Sequence, residues 1–303
     1  MRSVIDIPDL SLDELKELID VAMDIIANPQ KYAEACHGKK LATLFFEPST
    51  RTRMSFEAAM YELGGNVISV TGAGTSSAAK GESMADTAKT VSCYADIIAV
   101  RHPKEGSAYV MAQNATIPVI NGGDGGHSHP TQTLADLLTI YREKGRFEGL
   151  TIGLCGDLKF GRTVHSLIQA MSRYNGNKFV LISPEELKVP SYVKKDVLQQ
   201  RGIPYEQTTD LEGALPRLDI LYMTRVQRER FSDLMEYERV KNVYTLTASM
   251  LGGCKPNMRV LHPLPRVTEI AQDVDDTPQA YYFEQARNGL YTRQALICRA
   301  LGI

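Results

Sequence analysis

Apolar positions along the chain form short uninterrupted runs, separated by longer stretches in which they recur at helical spacing. The first run, at residues 41–46, is short and closes before Pro48, which favours a buried strand over a helix. Similar runs follow at residues 66–70, 97–100, 117–120, 150–155, 179–182, 220–223 and 260–261. The intervals are long enough for helical crossovers, so the pattern predicts an α/β fold in two successive lobes.

Helix signals accompany these runs at both ends of the chain and in its middle. Ser11 and Glu14 make a capping box, and helical spacing continues from there to Pro29. A long helix is expected at about residues 131–143. Residues 289–303 also have near-helical spacing, and the pattern allows this last helix to pack on either lobe.

Composition narrows the class of protein. With 303 residues, 43% of them hydrophobic, the chain can form two domains of ordinary size. Its 34 basic and 36 acidic residues give no overall attraction to nucleic acid or to an anionic membrane, so any anion site must be built locally. Five scattered cysteines without a C-x-x-C motif indicate neither a disulfide framework nor a zinc site. Together with the lack of a signal peptide or membrane-length apolar run, they predict a soluble, cytoplasmic protein.

The turn at residues 47–53, between the first apolar run and the next helix, is a candidate anion site. Its hydroxyl and guanidinium groups belong to Ser49, Thr50, Arg51, Thr52 and Arg53. A helix that begins near residues 49–52 directs its free N–H groups and positive dipole end at the turn, where phosphate is the natural guest. The alternative is that Ser49 or Thr50 only caps the helix while the arginines lie in solvent.

A second candidate anion site, at residues 156–163, supports a rival interpretation. This segment follows a strand, opens a helix and departs from the phosphate-binding pattern G-x-x-x-x-G-K-[ST] only because Arg162 replaces lysine. A P-loop-like nucleotide hydrolase also needs an apolar strand that ends in an acidic magnesium ligand, whereas Asp219 precedes its apolar run. The missing lysine and the missing acid count against that alternative, and Arg162 is as readily a surface arginine as an anion ligand.

A glycine-dense loop at residues 121–129 delivers two histidines to the start of the long central helix. His129 precedes Pro130, which suits a first helical turn, so His129 and Gln132 are expected to present side chains from one helix start. A neutral histidine that donates a hydrogen bond is favoured over a metal ligand, because no carboxylate or cysteine joins it at a recognised spacing. A structural capping histidine is the alternative.

Other candidate ligands lie just past apolar strands, where open α/β sheets bind ligands. Arg101 ends one run, and Arg225 and Gln227 follow another. Lys80 is the cation near the end of a glycine-rich loop at residues 71–82. The position at a strand end favours a functional role for Arg101, whereas most lysines in such loops are merely solvated, and Arg225 and Gln227 could equally be surface groups.

The last run enters a turn that contains Pro263 and Pro265. Each proline removes a backbone donor and leaves its carbonyl, so the turn can offer carbonyl oxygens to a ligand. A cis peptide before Pro265 is a reasonable expectation here.

Five motifs, in their order along the chain, resemble the aspartate/ornithine carbamoyltransferase family: residues 49–53, 80–82, 129–132, 225–227 and 262–266. The resemblance spans nearly the whole chain. It implies an α/β fold of two doubly wound parallel-sheet domains joined by long helices. It further implies a carbamoyl-phosphate-binding domain at residues 1–130 and 287–303, and an aspartate-binding domain at residues 131–286.

Carried over residue by residue, the resemblance assigns the groups that contact carbamoyl phosphate. The phosphate would be held by Ser49, Thr50, Arg51 and Thr52. The carbamoyl oxygen would be polarised by Thr52, Arg101 and His129. The carbamoyl amide would be oriented by Gln132 and the Leu264 carbonyl.

The resemblance also assigns the remaining contacts. The two carboxylates of aspartate would be held by Arg162, Arg225 and Gln227. Ser76 and Lys80 would arrive from the adjacent subunit of a homotrimer, and Glu47 would pair with arginines across the cleft. No metal or organic cofactor is implied, and whether separate regulatory chains bind is left open.

The implied reaction is transfer of the carbamoyl group of carbamoyl phosphate to the α-amine of L-aspartate in pyrimidine biosynthesis. An enzyme that acts on another amine, such as ornithine, is an alternative within the family. Relatives specific for ornithine carry His-Cys-Leu-Pro where this chain has Pro263 after His262. Arg225 also suits a side-chain carboxylate and would repel the ammonium group of ornithine, which favours aspartate. A non-catalytic anion-binding subunit is disfavoured because candidate groups for both substrates are present.

Overall fold

The computed structural model describes residues 3–72, 80–228, 231 and 233–303. The chain divides into two compact units. The first comprises Met1–Leu138 and Arg287–Ile303, and the second comprises Thr139–Ala286. Within the described ranges, no helix is both long and apolar enough to cross a membrane.

The first unit alternates strands and helices along most of its length. Its elements are α1 (Leu12–Ala27), α2 (Pro29–Tyr32), β1 (Lys40–Phe45), α3 (Thr50–Glu62), β2 (Asn66–Thr71), α4 (Met84–Ser92), β3 (Ile97–His102), α5 (Ser107–Asn114) and β4 (Val119–Asp124). The helix α6 (Pro130–Lys144) begins in this unit and ends in the second.

The second unit repeats the alternation around its own sheet. Its elements are β5 (Thr151–Cys155), α7 (Arg162–Met171), β6 (Lys178–Ile182), β7 (Tyr205–Thr208), α8 (Leu211–Ala214), β8 (Ile220–Met223), α9 (Leu234–Val240) and β9 (Arg259–Leu261). The helix α10 (Tyr282–Leu301) begins here and ends in the first unit. The fold class is therefore the one expected from the sequence: two parallel-sheet α/β domains connected by long helices.

The described strands of the first sheet are all parallel and lie in the order β2-β1-β3-β4. The chain builds the sheet in one direction from β1 to β2 and in the other from β3 to β4, so β1 and β3 flank the switch point of the winding. Phe45 pairs with Arg101 in register, and the Phe46 N–H donates to the Arg101 carbonyl at 2.9 Å. The turn after β1 and the end of β3 therefore lie side by side, where open α/β sheets bind ligands.

The second sheet is also parallel and follows the order β7-β6-β5-β8-β9, with its switch point between β5 and β8. Cys155 pairs with Met223 at the carboxyl ends of these two strands. The Thr224 N–H donates to the Cys155 carbonyl at 2.8 Å just beyond them. The loops that begin at Gly156 and at Thr224 therefore leave the sheet as neighbours.

Apolar helix residues share a buried cluster with strand residues in each unit: Met111 of α5 with Leu44 of β1 in the first, and Leu211 of α8 with Val180 of β6 in the second. α1 begins with the expected capping box, in which Ser11 Oγ accepts from the Glu14 N–H at 3.1 Å and Glu14 Oε2 accepts from the Ser11 N–H at 2.7 Å. Its buried face consists of Leu15, Leu18, Ile19, Ala22 and Ile25. Such an amphipathic face gives the helix most of its stability through packing.

Two expected elements were wrong in their bounds, and one strand was not expected at all. The strand expected at residues 117–120 is β4, which starts after Pro118 and continues through two glycines to Asp124. The short polar strand β7 carries no apolar run and was missed, and the final helix begins at Tyr282 rather than near residue 289. In each case pairing or packing with distant residues outweighs the local pattern.

Candidate active site

The candidate anion site at residues 47–53, called the oxyanion turn below, lies at the start of α3 in the first unit. Ser49 is the N-cap residue, but its side chain makes no capping hydrogen bond, and the first turn of α3 contains no acidic residue. Thr52 is buried within that turn, whereas Thr50 and Arg51 are exposed. Because neither the Ser49 side chain nor an acidic side chain neutralises the positive end of the helix, the geometry favours anion binding over the alternative of a simple cap.

Arg101 is held at the end of β3 beside this turn. Its side chain is only 11% exposed, its Nε donates to Glu47 Oε2 at 3.1 Å, and its Nη1 donates to the Gly122 carbonyl at 3.3 Å. Glu47, expected to pair with arginines of the other lobe, thus has a partner within its own unit. The carboxylate fixes the direction of the guanidinium, which makes Arg101 a preorganised cation rather than a solvated surface group.

The start of α6 presents His129 and Gln132, as expected from Pro130. His129 is buried, and its Nδ1 lies 3.4 Å from Thr131 Oγ1. Gln132 Nε2 donates to Asp136 Oδ1 at 2.8 Å, one helical turn along. Because this bond uses the amide nitrogen of Gln132, it orients the amide so that its oxygen can accept from a substrate N–H.

A buried arginine that the sequence did not single out supports this helix start. Arg293 of α10 is 4% exposed; its Nη2 donates to Thr131 Oγ1 at 3.2 Å and its Nη1 to the Gly289 carbonyl at 2.7 Å. Its guanidinium also lies 5.2 Å from the centre of the Phe56 ring. Burial, together with the nearby charge of Arg101, lowers the pKa of Arg293 to about 10. A lone arginine in a C-terminal helix carries no sequence signal that would reveal this position.

In the second unit, the loop at residues 156–162 uses its backbone N–H groups internally. Gly156 donates to the Ile182 carbonyl at 3.1 Å, Asp157 to Thr224 Oγ1 at 3.0 Å and Phe160 to Asp157 Oδ1 at 2.9 Å. A P-loop instead leaves such N–H groups to cradle phosphates. The resemblance of this segment to a P-loop is therefore one of sequence and not of hydrogen bonding.

Asp157 connects the two loops that carry the candidate aspartate ligands, and it too was missed from the sequence. Its fully buried carboxylate accepts from the Phe160 N–H at 2.9 Å, and its own N–H donates to Thr224 Oγ1 at 3.0 Å, in the loop that leads to Gln227. Burial raises the pKa of this carboxyl despite these bonds. Asp157 thereby fixes the loop that leads to Arg162 relative to the loop that carries Gln227.

Both loops open onto the same end of the second sheet. Arg162 is the first residue of α7, and Arg225 follows β8 by two residues; both are partly exposed. Neither is therefore a fully solvated surface arginine. The structure brings these two arginines and Gln227 to one switch point, which suits a ligand with two carboxylates.

The turn after β9 contains an unusual backbone conformation. Leu264 has φ of +55°, and the Leu264–Pro265 peptide is cis, as the sequence suggested. Leu264 is partly buried, and its N–H donates to His262 Nδ1 at 2.7 Å. A left-handed leucine is an uncommon conformation, and such positions cluster at functional sites.

Two candidate residues lie on the segment after β2. Lys80 is exposed, and Ser76 lies outside the residues that the structure describes. Within a single chain, the described residues thus form two polar groups, one in each unit. The first comprises residues 49–52 with Arg101, His129 and Gln132, and the second comprises Arg162, Arg225 and Gln227 with the Leu264 turn.

Both units thus place polar groups at the switch point of an open parallel sheet, which defines a two-domain α/β protein with a candidate anion site in each domain. Two family descriptions match the chain in succession. Residues 2–142 match the aspartate/ornithine carbamoyltransferase carbamoyl-P binding domain, and residues 148–300 match the Asp/Orn binding domain of the same family. The chain belongs to the aspartate/ornithine carbamoyltransferase family.

Several similar proteins within that family carry the name of the aspartate enzyme. The chain is 59% identical over 303 residues to the "Aspartate carbamoyltransferase catalytic subunit" of Lachnoclostridium phytofermentans, covering all of this chain and 99% of the relative. It is similar to the solved catalytic subunit of M. jannaschii aspartate transcarbamoylase, with 45% identity, a TM-score of 0.93 and coverage of 100% and 98%. A Trypanosoma cruzi aspartate transcarbamoylase in complex with carbamoyl phosphate and aspartate is 35% identical, with a TM-score of 0.91 and coverage of 98% and 95%.

Proposed function

We propose that this chain is a catalytic chain that transfers the carbamoyl group of carbamoyl phosphate to the α-amine of L-aspartate, giving N-carbamoyl-L-aspartate and phosphate. The observation that carries the proposal is that similar proteins aligned over nearly the whole chain have the aspartate enzyme's name, and the candidate polar groups at the switch point of each sheet support it. The product is a precursor of the pyrimidine ring, so we place the reaction in pyrimidine biosynthesis. All five cysteines are free thiols, which supports a cytoplasmic location.

Carbamoyl phosphate is assigned to residues 1–130 and 287–303. The helix N-terminus at Ser49–Thr52 and the Arg51 side chain receive the phosphate, because they supply N–H, hydroxyl and guanidinium donors at one turn. Arg101 and His129, together with the Thr52 hydroxyl, polarise the carbamoyl oxygen, and Gln132 accepts from the carbamoyl amide. The Glu47 and Asp136 contacts support these roles because they fix Arg101 and Gln132 before substrate arrives.

Aspartate is assigned to residues 131–286. Arg162, Arg225 and Gln227 hold its two carboxylates, and the Leu264 carbonyl accepts a second hydrogen bond from the carbamoyl amide. The neutral amine then attacks the carbamoyl carbon to give a tetrahedral intermediate. Arg101, His129 and Thr52 stabilise its oxyanion; the bond between the carbamoyl carbon and the phosphate oxygen then breaks, and the departing phosphate accepts the proton lost by the amine. Catalysis is mainly orientation and electrostatic stabilisation, since no covalent enzyme intermediate is needed.

In the decisive assay, purified protein is incubated with carbamoyl phosphate and either aspartate or ornithine. The formation of carbamoyl-aspartate and of carbamoyl-ornithine is then measured. We expect carbamoyl-aspartate alone, because Arg225 complements a side-chain carboxylate and repels an ammonium group. Carbamoylation of ornithine without aspartate turnover would refute the assignment. Magnesium-dependent ATP hydrolysis without carbamoyl transfer would instead support the P-loop alternative.

We further propose a homotrimer in which Ser76 and Lys80 act in the active site of the neighbouring chain. The edge strand β2 and the adjacent α3 support this assembly through three exposed apolar side chains: Met54 (59%), Tyr61 (60%) and Ile68 (40%). The segment with Ser76 and Lys80 continues directly from β2. A copy of the chain that covers this side would bury the apolar groups and receive that segment.

A further inference from the structure

A buried histidine–glutamate pair lies directly behind the Leu264 turn. The side chains of His262 and Glu269 are 1% and 8% exposed, and His262 Nε2 lies 2.7 Å from Glu269 Oε1. The other ring nitrogen, Nδ1, lies 2.7 Å from the backbone nitrogen of Leu264. The imidazole therefore bridges a carboxylate and the backbone of a candidate substrate ligand.

The chemistry of the donors fixes the protonation of this ring. A backbone N–H can only donate, so Nδ1 of His262 must be the acceptor and the ring proton must reside on Nε2. Nε2 then donates to the ionised Glu269. Burial lowers the pKa of His262, and the bond from His262 keeps the pKa of Glu269 below its usual value, so the neutral imidazole and the carboxylate coexist.

The same pair anchors the backbone on both sides of the turn. Glu269 Oε2 accepts from the Val267 N–H at 3.2 Å and from the Thr268 N–H at 3.1 Å. At the other side, the His262 N–H donates to Gln285 Oε1 at 2.8 Å. Hydrogen bonds thus hold the backbone on both sides of Leu264, which has a left-handed conformation. The His262 ring holds the N–H of Leu264 itself.

We infer that His262, oriented by Glu269, is a positioning residue that directs the Leu264 carbonyl to the carbamoyl amide. This inference rests on the proposed function, since it gives Leu264 a substrate to contact. Fixing the N–H and the φ angle of one residue leaves little freedom for its carbonyl. A displacement of the order of 1 Å at such a group can reduce turnover by about 10²-fold.

Two substitutions test the contacts of the two His262 ring nitrogens separately. In His262→Asn, the amide oxygen stands near the place of Nδ1 and can still accept from the Leu264 N–H. In His262→Gln, the longer amide reaches Glu269 but leaves the Leu264 N–H without its acceptor. We expect kcat to fall by about 10²-fold in His262→Gln and by clearly less in His262→Asn, with little change in the KM for aspartate.

The surface pair His37 and Glu34 provides a matched control, because their atoms lie 3.2 Å apart but their side chains are 83% and 80% exposed. His37→Gln should leave kcat and thermal stability unchanged. If a single His262 variant fails to fold, both His262 variants are combined with Glu269→Gln, because this substitution removes the buried carboxylate charge that would lack its donor. The same order of kcat values is expected in the double variants. Equal kcat in the Asn and Gln variants would overturn the inference, whereas wild-type protein without carbamoyl-aspartate formation would refute the proposed function itself.

Discussion

Arg101 and Arg293 show how differently two guanidinium groups of one unit are used. Arg101 pairs with the Glu47 carboxylate and remains at the edge of the oxyanion turn. Arg293 is buried and donates hydrogen bonds to a hydroxyl and to a backbone carbonyl, so it stabilises the start of α6 from the interior of the unit. A charge that is fixed and only slightly exposed is the kind that can stabilise a developing oxyanion without reorganisation.

Arg101→Ala should therefore act on turnover more than on folding. We expect kcat to fall by roughly 10²–10³-fold, by analogy with the loss of one oxyanion donor. The measurement is steady-state carbamoyl-aspartate formation at saturating substrates, with the unfolding midpoint recorded on the same sample. Arg201→Ala, which removes an exposed arginine of the second unit, serves as the control and should be near normal. Near-normal turnover of Arg101→Ala would exclude its role at the carbamoyl oxygen.

The sequence could reveal candidate site residues where several neighbours in the chain also have side chains typical of a binding site. Ser49, Thr52 and His129 stand in such local groups. Asp157 and Arg293 do not, because their partners lie 67 or more positions away or are backbone atoms. Their roles depend on contacts that only the folded chain creates.

At the scale of elements, apolar runs located the central strands but not their ends. β4 runs through Asn121, Gly122 and Gly123, residues that are rare in strands. A Cβ at Gly122 would lie 3.2 Å from the Val100 carbonyl, so glycine permits a close approach to β3. Val4 also pairs with the edge of β4, through N–H bonds to Val119 and from Asn121 at 2.9 Å each. These long-range contacts make a strand where local preference indicates a loop.

The approach of β5 to β8 yields a prediction about an element boundary. Gly156 has φ of +113°, and a Cβ there would lie 2.2 Å from the Thr224 carbonyl oxygen. Gly202 also has a positive φ, of +64°, but no atom lies within 4 Å of its Cβ position. Gly202→Ala should cost about 1–2 kcal/mol of unfolding free energy from backbone strain alone. Gly156→Ala should cost about 1–3 kcal/mol more because of overpacking.

Urea unfolding of both variants measures the difference. Since the loop after Gly156 leads to Arg162, Gly156→Ala should also raise the KM for aspartate, whereas Gly202→Ala should not. Equal losses of stability in the two variants would show that the contact with Thr224 has no energetic importance.

At the scale of the whole molecule, three histidines predict the response to acid. Burial lowers the pKa of the partly buried His102 and His165 and of the buried His262 from 6.5, and each neutral ring can accept a hydrogen bond through Nδ1. At mildly acidic pH, the unfolded chain therefore binds more protons at these histidines than the folded chain does. Stability should fall as pH drops below 6.5 toward the folded pKa values, by up to about 1.4 kcal/mol per pH unit for each histidine.

Urea midpoints between about pH 7.5 and about pH 5.5 measure this effect. Glu269 stays ionised across this range, because its ordinary pKa is 4.5 and its pKa in the folded chain is lower, whereas the raised pKa of Asp157 acts in the opposite direction to the histidines. Stability that does not fall across this range would contradict the neutral state assigned to the histidine rings.

The proposed sharing of active sites between chains predicts complementation. Arg51 is proposed to bind phosphate within its own chain, whereas Lys80 is proposed to serve its neighbour, so Arg51→Ala and Lys80→Ala should each be inactive alone. In mixed trimers, a site that takes its turn from a Lys80→Ala chain and its lysine from an Arg51→Ala chain is intact. Activity should therefore return when the two inactive proteins are dissociated and reassembled together, with mass measurement confirming mixed trimers. Verified mixed trimers without activity would show that Lys80 acts within its own chain or not at all.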